Sequence, residues 1–337
     1  MDRRQFITGF GLTLFLTQFS QHFQTTANAA QTPLKPPRLK IGDTIGLVTP
    51  ASPIQESHLK LIRPQLRRQG LKIKVAPHAL DGYGYLAGVD RDRAADINAF
   101  FADPSIKALI ATGGGWGSSR LLPLLDYDLI RRNPKIILGY SDITALLLAI
   151  YSRTGLVTFH GLLATSIWND FSVSYLKRLL FRGEAIAFQN RVTVRVETIT
   201  PGKAKGRLVG GNLSVISGLV GSVFLPDWNQ AILFVEDIGE DIYRVDRMLN
   251  HLKLAGILEQ LAGFIFGQCT RCLDQEDDSP TLTLQQVLND HIRPLGIPAW
   301  YGSMMGHIRN QFTVPLGIEI EIDANLGRIR MLETAVI

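Results

Sequence analysis

A serine that closes an apolar run and opens a helix, in Gly139-Tyr140-Ser141-Asp142-Ile143-Thr144, is a first candidate for chemistry in this sequence. A strand that turns abruptly into a helix at a serine exposes the hydroxyl, and the N–H groups that follow can stabilise an oxyanion. The same residues also suit an ordinary helix N-cap with an aspartate in the first turn. Upstream, Thr112-Gly113-Gly114-Gly115-Trp116-Gly117-Ser118 follows another apolar run. Glycines there let the backbone approach a ligand closely, so one N–H could be a second oxyanion donor; a tight turn into a helix would use the same residues. The run lacks the Gly-Lys-Ser/Thr ending of a phosphate loop and the spacing of a dinucleotide fingerprint.

Downstream, Val235-Glu236-Asp237-Ile238-Gly239-Glu240 ends an apolar strand in carboxylates, and Met304-Met305-Gly306-His307 supplies a histidine. A serine hydroxyl needs a base to attack an amide, and the base needs a partner that fixes its tautomer. Glu236 could be that partner and His307 the base, with His160 as the second candidate. His58, His251 and His291 sit in helical patterns, and His78 lies beside an apolar strand. No His-Glu-x-x-His or second ligand pair accompanies them, so neither a metal nor a cofactor is expected.

The elements that must position these residues alternate apolar strands with helices, the pattern of a parallel sheet covered on both faces. Strands are expected at 44–49, 71–76, 108–112 and 136–139. Helices are expected at 54–69, 90–101, a stretch ending near Asn133-Pro134, and a buried one at 143–153. From about 171 to 205 the pattern weakens into a crossover or linker with an edge strand. A second domain then opens with Gly210-Gly211-Asn212-Leu213 before a helix, a strand at 231–235 and a helix at 242–255. Apolar alternation returns at 263–267 and 312–322. The expected organisation is therefore a doubly wound N-terminal domain at 41–170, a linker at 171–205, and a second α/β domain, rich in β-structure, at 206–337.

Residues 1–29 stand apart. Asp2-Arg3-Arg4-Gln5-Phe6-Ile7 begins a charged start and an apolar run to about Leu16, too short to span a bilayer, and Ala27-Asn28-Ala29 is a small-x-small cleavage site. Cleavage after Ala29 is expected, with a spacer at 30–40. The paired arginines point to the twin-arginine route, although a Sec signal with two basic residues has a similar form. An exported, periplasmic protein without a stable membrane anchor is the expectation. The net charge of +5 is modest and scattered, which gives no case for nucleic acid and suits a substrate rich in carboxylates. Two cysteines, Cys269 and Cys272, could be a redox pair, half a zinc site or a local disulfide. An unbonded pair at a loop end is the expected state.

Taken in order, these segments resemble the LD-carboxypeptidase family of serine peptidases. Gly42-Asp43-Thr44-Ile45-Gly46-Leu47-Val48 resembles its opening strand, Gly114-Gly115-Trp116-Gly117 with Arg120-Leu121-Leu122 its glycine turn, and Gly139-Tyr140-Ser141-Asp142 its nucleophile turn. Gly210-Gly211-Asn212-Leu213 resembles the opening of the second domain, and Glu236-Asp237 with Tyr243-Arg244-Val245-Asp246-Arg247 its acidic strand end and helix. Gly306-His307 resembles the site of the catalytic histidine. The resemblance implies a triad of Ser141 as nucleophile, His307 as base and Glu236 as its orienting partner, set in a groove between the domains. It implies an oxyanion hole from the N–H groups of Asp142 and of Gly114 or Gly115, and a homodimer. The chain departs from the family's R-G-G-Y-G turn, with Gly113 and Trp116 in place of the arginine and tyrosine.

The implied reaction is hydrolysis of the L,D peptide bond of a murein tetrapeptide, releasing the terminal D-alanine. Arg120, Arg244 and Arg247 are candidates for the substrate carboxylate, and Trp116 for a further substrate contact. A hydrolase of a peptide-nucleotide antibiotic conjugate would need an aromatic to stack on the base, for which Trp116, Trp168 and Tyr301 are available. An exported protein that binds wall peptide without cleaving it is the reading from another class, and it has no need of a nucleophile.

Overall fold

Apolar runs that alternate with helices must bury both faces of the sheet they form, and the computed structural model shows how this chain does so. It describes residues 32–273 and 281–337. The leader and its cleavage site, the first residues of the spacer and the acidic loop at 274–278 lie outside the described residues.

The first half lays down β1 (Thr44–Val48), α1 (Glu56–Arg67), β2 (Lys72–Val75), α2 (Asp90–Ala102) and β3 (Ile106–Ala111). After α3 (Tyr127–Arg132) come β4 (Ile136–Gly139), α4 (Thr144–Thr154), β5 (Thr158–His160) and α5 (Asp170–Leu180). The helical stretch expected before Asn133 is broken into a 3₁₀ segment, Ser118–Leu124, and α3. Pro123 lies in that segment and has no N–H for a continuous helix.

The second half adds β6 (Ala187–Gln189), β7 (Glu197–Thr200), β8 (Lys203–Asn212), α6 (Leu213–Leu219), β9 (Ile232–Ile238), α7 (Ile242–Leu254) and β10 (Gly263–Thr270). It closes with α8 (Leu284–His291), β11 (Ala299–Tyr301), β12 (Val314–Leu316), β13 (Glu319–Asp323) and β14 (Arg328–Met331). The stretch at 171–205, read from sequence as a crossover or linker with an edge strand, carries one helix and two edge strands. Its helix α5 buries Leu176, Leu179 and Leu180, and β6 and β7 form the two edges of the larger sheet.

Two sheets result, a two-domain α/β arrangement. The first runs β12-β5-β4-β3-β1-β2, parallel except for the antiparallel β12. Its order reverses between β1 and β3, and open sheets of this kind bind ligands at such a switch, beyond the carboxyl ends of the strands. The glycine turn follows β3 and Ser141 follows β4, so both stand at that edge. The second sheet, β6-β14-β13-β8-β9-β10-β11-β7, is parallel from β8 to β11 and antiparallel outside them. Glu236 stands near the carboxyl end of β9.

Helix α4 joins the two. Every residue from Thr144 to Tyr151 is buried, because the helix packs on β4 and β5 on one side and on β8 and α6 on the other. A helix apolar all round is what such a double interface requires. Thr144 Oγ1 also accepts the Asn212 N–H at 3.0 Å, which ties the end of β8 to the start of the helix behind Ser141.

Candidate active site

Ser141 leaves β4 with φ 65°, one of three non-glycine residues with positive φ among the described residues. A non-glycine residue is strained there and persists only where its surroundings hold it. Tyr140 before it is extended, and Ser141–Ile143 form a 3₁₀ turn that runs into α4. The turn is held from the glycine loop: Ser118 N–H donates to Asp142 Oδ2 at 2.8 Å, and Ser118 Oγ donates to the Asp142 carbonyl. Burial pushes the Asp142 carboxyl up from its ordinary range, against the hydrogen bonds from Ser118 that favour its charged form.

The glycine loop closes on the serine itself. A Cβ on Gly114 would stand 2.9 Å from Ser141 Cβ and 3.0 Å from its Oγ, so only glycine lets this backbone come so near. Gly115 instead faces Ser52, whose Oγ would lie 1.9 Å from an added Cβ. The backbones of Asp142 and Gly114 thus flank the hydroxyl, and that of Gly115 is one residue further off.

From the second sheet, Glu236 is fully buried and its Oε2 lies 2.7 Å from His307 Nδ1. Gly306, at φ 110°, makes this approach feasible, because a Cβ there would stand 2.6 Å from Glu236 Oε2. With Nδ1 occupied by the carboxylate, Nε2 is the ring nitrogen left for proton transfer. The His307 ring meets Tyr140 edge to face with centroids 4.8 Å apart, which sets it beside the residue preceding Ser141. Thr270 Oγ1 holds the His307 carbonyl at 3.0 Å.

His160, the second candidate base, lies on the other side of Glu236. Its Nε2 is 3.7 Å from Glu236 Oε1, and both side chains are fully buried. Burial by itself would raise the Glu236 carboxyl, but the imidazoles of His160 and His307 more than offset it and hold the group below its ordinary range. The neighbouring Asp237 is pushed up to about 6 by burial and by the charge of Glu236. It anchors the second sheet to α6, accepting from Asn212 Nδ2 at 3.0 Å and Ser214 N–H at 2.8 Å. Sequence reasoning did not find the Ser118 and Asp237 anchors. The Asn212 N-cap of α6 was the visible signal for the second.

The substrate candidates differ in what they already hold. Arg120, half exposed, donates from Nε to both Asp90 oxygens at 3.0 and 2.9 Å. Arg244 is paired with Asp241 at 3.3 Å, and Arg247 stacks over Tyr243. Trp116, beside the glycine loop, is 65% exposed. Trp168 is pinned through Nε1 to the Leu163 carbonyl. Cys269 and Cys272 are not the unbonded pair expected from sequence: their sulfurs are joined, at a Cα separation of 5.3 Å. The turn after β10 brings the two residues within disulfide reach. Among the described residues, one group, His78, Asp81 and Asp92, offers three potential metal-ligand atoms in reach of one another. His78 Nδ1 already meets Asp81 Oδ2 at 2.9 Å, and the group shares no residue with the Ser141 site.

Chemically, a hydroxyl on a strained turn, an imidazole oriented by a buried carboxylate and backbone groups flanking the hydroxyl together suit attack on an acyl carbon. The chain is similar to known proteins over most of its length. The model of the LD-carboxypeptidase N-terminal domain matches residues 45–161, and that of the LD-carboxypeptidase C-terminal domain matches 205–322. The probable murein peptide carboxypeptidase of Bacillus subtilis is 40% identical, over 84% of this chain and 89% of its own. The microcin C7 self-immunity protein of Escherichia coli is 30% identical, over 89% of this chain and 96% of its own. Its structure in complex with aspartyl sulfamoyl adenosine superposes with a TM-score of 0.83 at 29% identity, covering 90% of this chain and all of that one. The muramoyltetrapeptide carboxypeptidase of Oxalobacter formigenes superposes with a TM-score of 0.75 at 25% identity, covering 86% of this chain and 97% of that one.

Proposed function

Because the chain belongs to the LD-carboxypeptidase family, we propose that it is a serine peptidase that hydrolyses the L,D peptide bond of murein tetrapeptides and releases the C-terminal D-alanine. One observation carries the mechanism: a buried carboxylate 2.7 Å from an imidazole that packs on the residue before a strained serine. Ser141 Oγ attacks the carbonyl carbon while His307 Nε2 takes its proton. Glu236 holds the Nδ1–H and stabilises the imidazolium. The N–H groups of Asp142 and Gly114 receive the oxyanion. Collapse of the tetrahedral intermediate breaks the C–N bond, and His307 returns the proton to the departing D-alanine amine. Water then attacks the acyl-enzyme by the same route in reverse.

The reaction fits a site outside the cytoplasm. The leader expected at residues 1–29 supports this, and so does the Cys269–Cys272 bond, since disulfides persist in oxidising compartments.

Mass spectrometry of purified protein with a muropeptide tetrapeptide tests the function. The expected product is the tripeptide with free alanine, formed equally with and without chelator. An unchanged tetrapeptide overturns the substrate, and chelator-sensitive release overturns the serine mechanism. The similarity to the complex with aspartyl sulfamoyl adenosine favours a second reading, hydrolysis of an acyl-sulfamoyl nucleoside. Offering both compounds together separates the two, since release of aspartate with the tetrapeptide intact supports the second alone.

Gly306→Ala is expected to lower kcat/KM by about 10²-fold, because its Cβ must displace Glu236 and with it His307, and misplacement of a catalytic group by about 1 Å costs that much. Steady-state kinetics beside a thermal melt checks this. A rate close to the parent's would mean that the loop yields at no cost to the site.

A further inference from the structure

Glu236 presents two oxygens, and His307 accounts for only one of them. Oε1 is buried and has no hydrogen-bond partner among the described residues, and the same holds for both ring nitrogens of His160. Buried polar groups of this kind are expensive to leave unpaired. Two of these three atoms approach each other, with His160 Nε2 3.7 Å from Glu236 Oε1. An approach of about 1 Å makes this a normal hydrogen bond.

His160 is well placed to hold a partner still. Its backbone pairs with Gly139 of β4 on one side and Val314 of β12 on the other. Its ring is gripped edge to face by Tyr140, with centroids 6.0 Å apart, and by Phe234, at 5.1 Å. Glu236 comes from the other sheet, so its carboxylate spans the two domains with an imidazole at each oxygen.

We propose that His160 is a positioning residue: it donates from Nε2–H to Glu236 Oε1 and so prevents the carboxylate from rotating away from His307. This role rests on the proposed hydrolysis, in which Glu236 orients the base. The hydrogen bond itself can be read without substrate.

Nitrogen-15 NMR of the histidine-labelled parent protein reads the bond directly. A proton on His160 Nε2 is expected, together with a low-field proton on His307 Nδ1, and an unprotonated His160 Nε2 overturns the proposal whatever the activity. For kinetics, His160→Phe replaces the imidazole with a ring that suits its aromatic neighbours but cannot donate. It is expected to reduce kcat by 10- to 100-fold with KM unchanged and to shift or broaden the His307 Nδ1 proton. His160→Gln, which keeps an N–H at similar reach, is expected to recover most of the rate. Unchanged kcat in His160→Phe overturns the positioning role. So does an equal loss in both variants with equal drops in melting temperature, since that pattern reports packing alone. If the parent releases no alanine, the hydrolytic function fails, while the NMR result still decides the His160–Glu236 bond.

Discussion

Ser141→Ala is expected to reduce kcat/KM for the tetrapeptide by about 10⁴-fold or more, the scale seen when a catalytic serine is lost while binding groups remain. The substitution removes one oxygen. Alanine meets the same steric conflict as serine at φ 65°, so the turn gains and loses little. The supports of the turn also survive, since Asp142 is held by Ser118 through its carboxylate and its carbonyl, neither of which involves the Ser141 side chain. The loss should therefore be in chemistry. Calorimetric titration should find the tetrapeptide bound about as tightly as by the parent, with an unchanged thermal melt. Turnover within tenfold of the parent would show that another group is the nucleophile. A variant that neither binds nor melts like the parent would assign Ser141 a structural role.

Glu236→Gln is expected to lower kcat by about 10³- to 10⁴-fold with little change in KM, because an amide of the same shape no longer favours the Nδ1–H tautomer or balances the imidazolium. The change also has a signature in stability. The carboxyl of folded Glu236 is held down to about 2 from its ordinary 4.5, against its own burial, by the two imidazoles. A lowered pKa means that the folded state holds the proton less tightly than the unfolded chain. The group thus contributes stability above about pH 4.5, and that contribution is lost as pH falls toward about 2. Thermal melts of parent and variant across this window should show a shallower acid dependence in the variant. Identical acid profiles would mean that the carboxylate is not held in its charged form by His160 and His307. Normal turnover would remove Glu236 from the mechanism.

Much of the framework was readable because local patterns decide it. Strand β4 was expected at 136–139 and occupies Ile136–Gly139. Helix α4 was expected to be buried and is buried from Thr144 to Tyr151, since an apolar run of this kind has no solvent face to offer. The misjudged places are those where non-local packing overrides a weak pattern. The stretch at 171–205 looks like a linker because its strands are short and half exposed, and they become strands only by pairing with β14 and β11. The cysteine pair looked idle because nothing in the spacing of Cys269 and Cys272 tells a bonded from an unbonded loop end.

The sequence by itself determined the chemical inventory: a serine after a strand, glycines in a loop, a carboxylate near a strand end and a histidine after a glycine. These signals lie within a few neighbouring residues, where propensity and steric rules act. Only the tertiary structure decided which of them meet. Glu236 and His307 are 71 residues apart in the chain and 2.7 Å apart in space, and His160 reaches the same carboxylate from the other sheet. Such meetings depend on α4 being packed from both sides, on Gly306 and Gly114 lacking the side chains that would fill the gap, and on strand register. Each of these is a property of the whole packing, since a contact between distant residues forms only when the two sheets bury their faces against a common core.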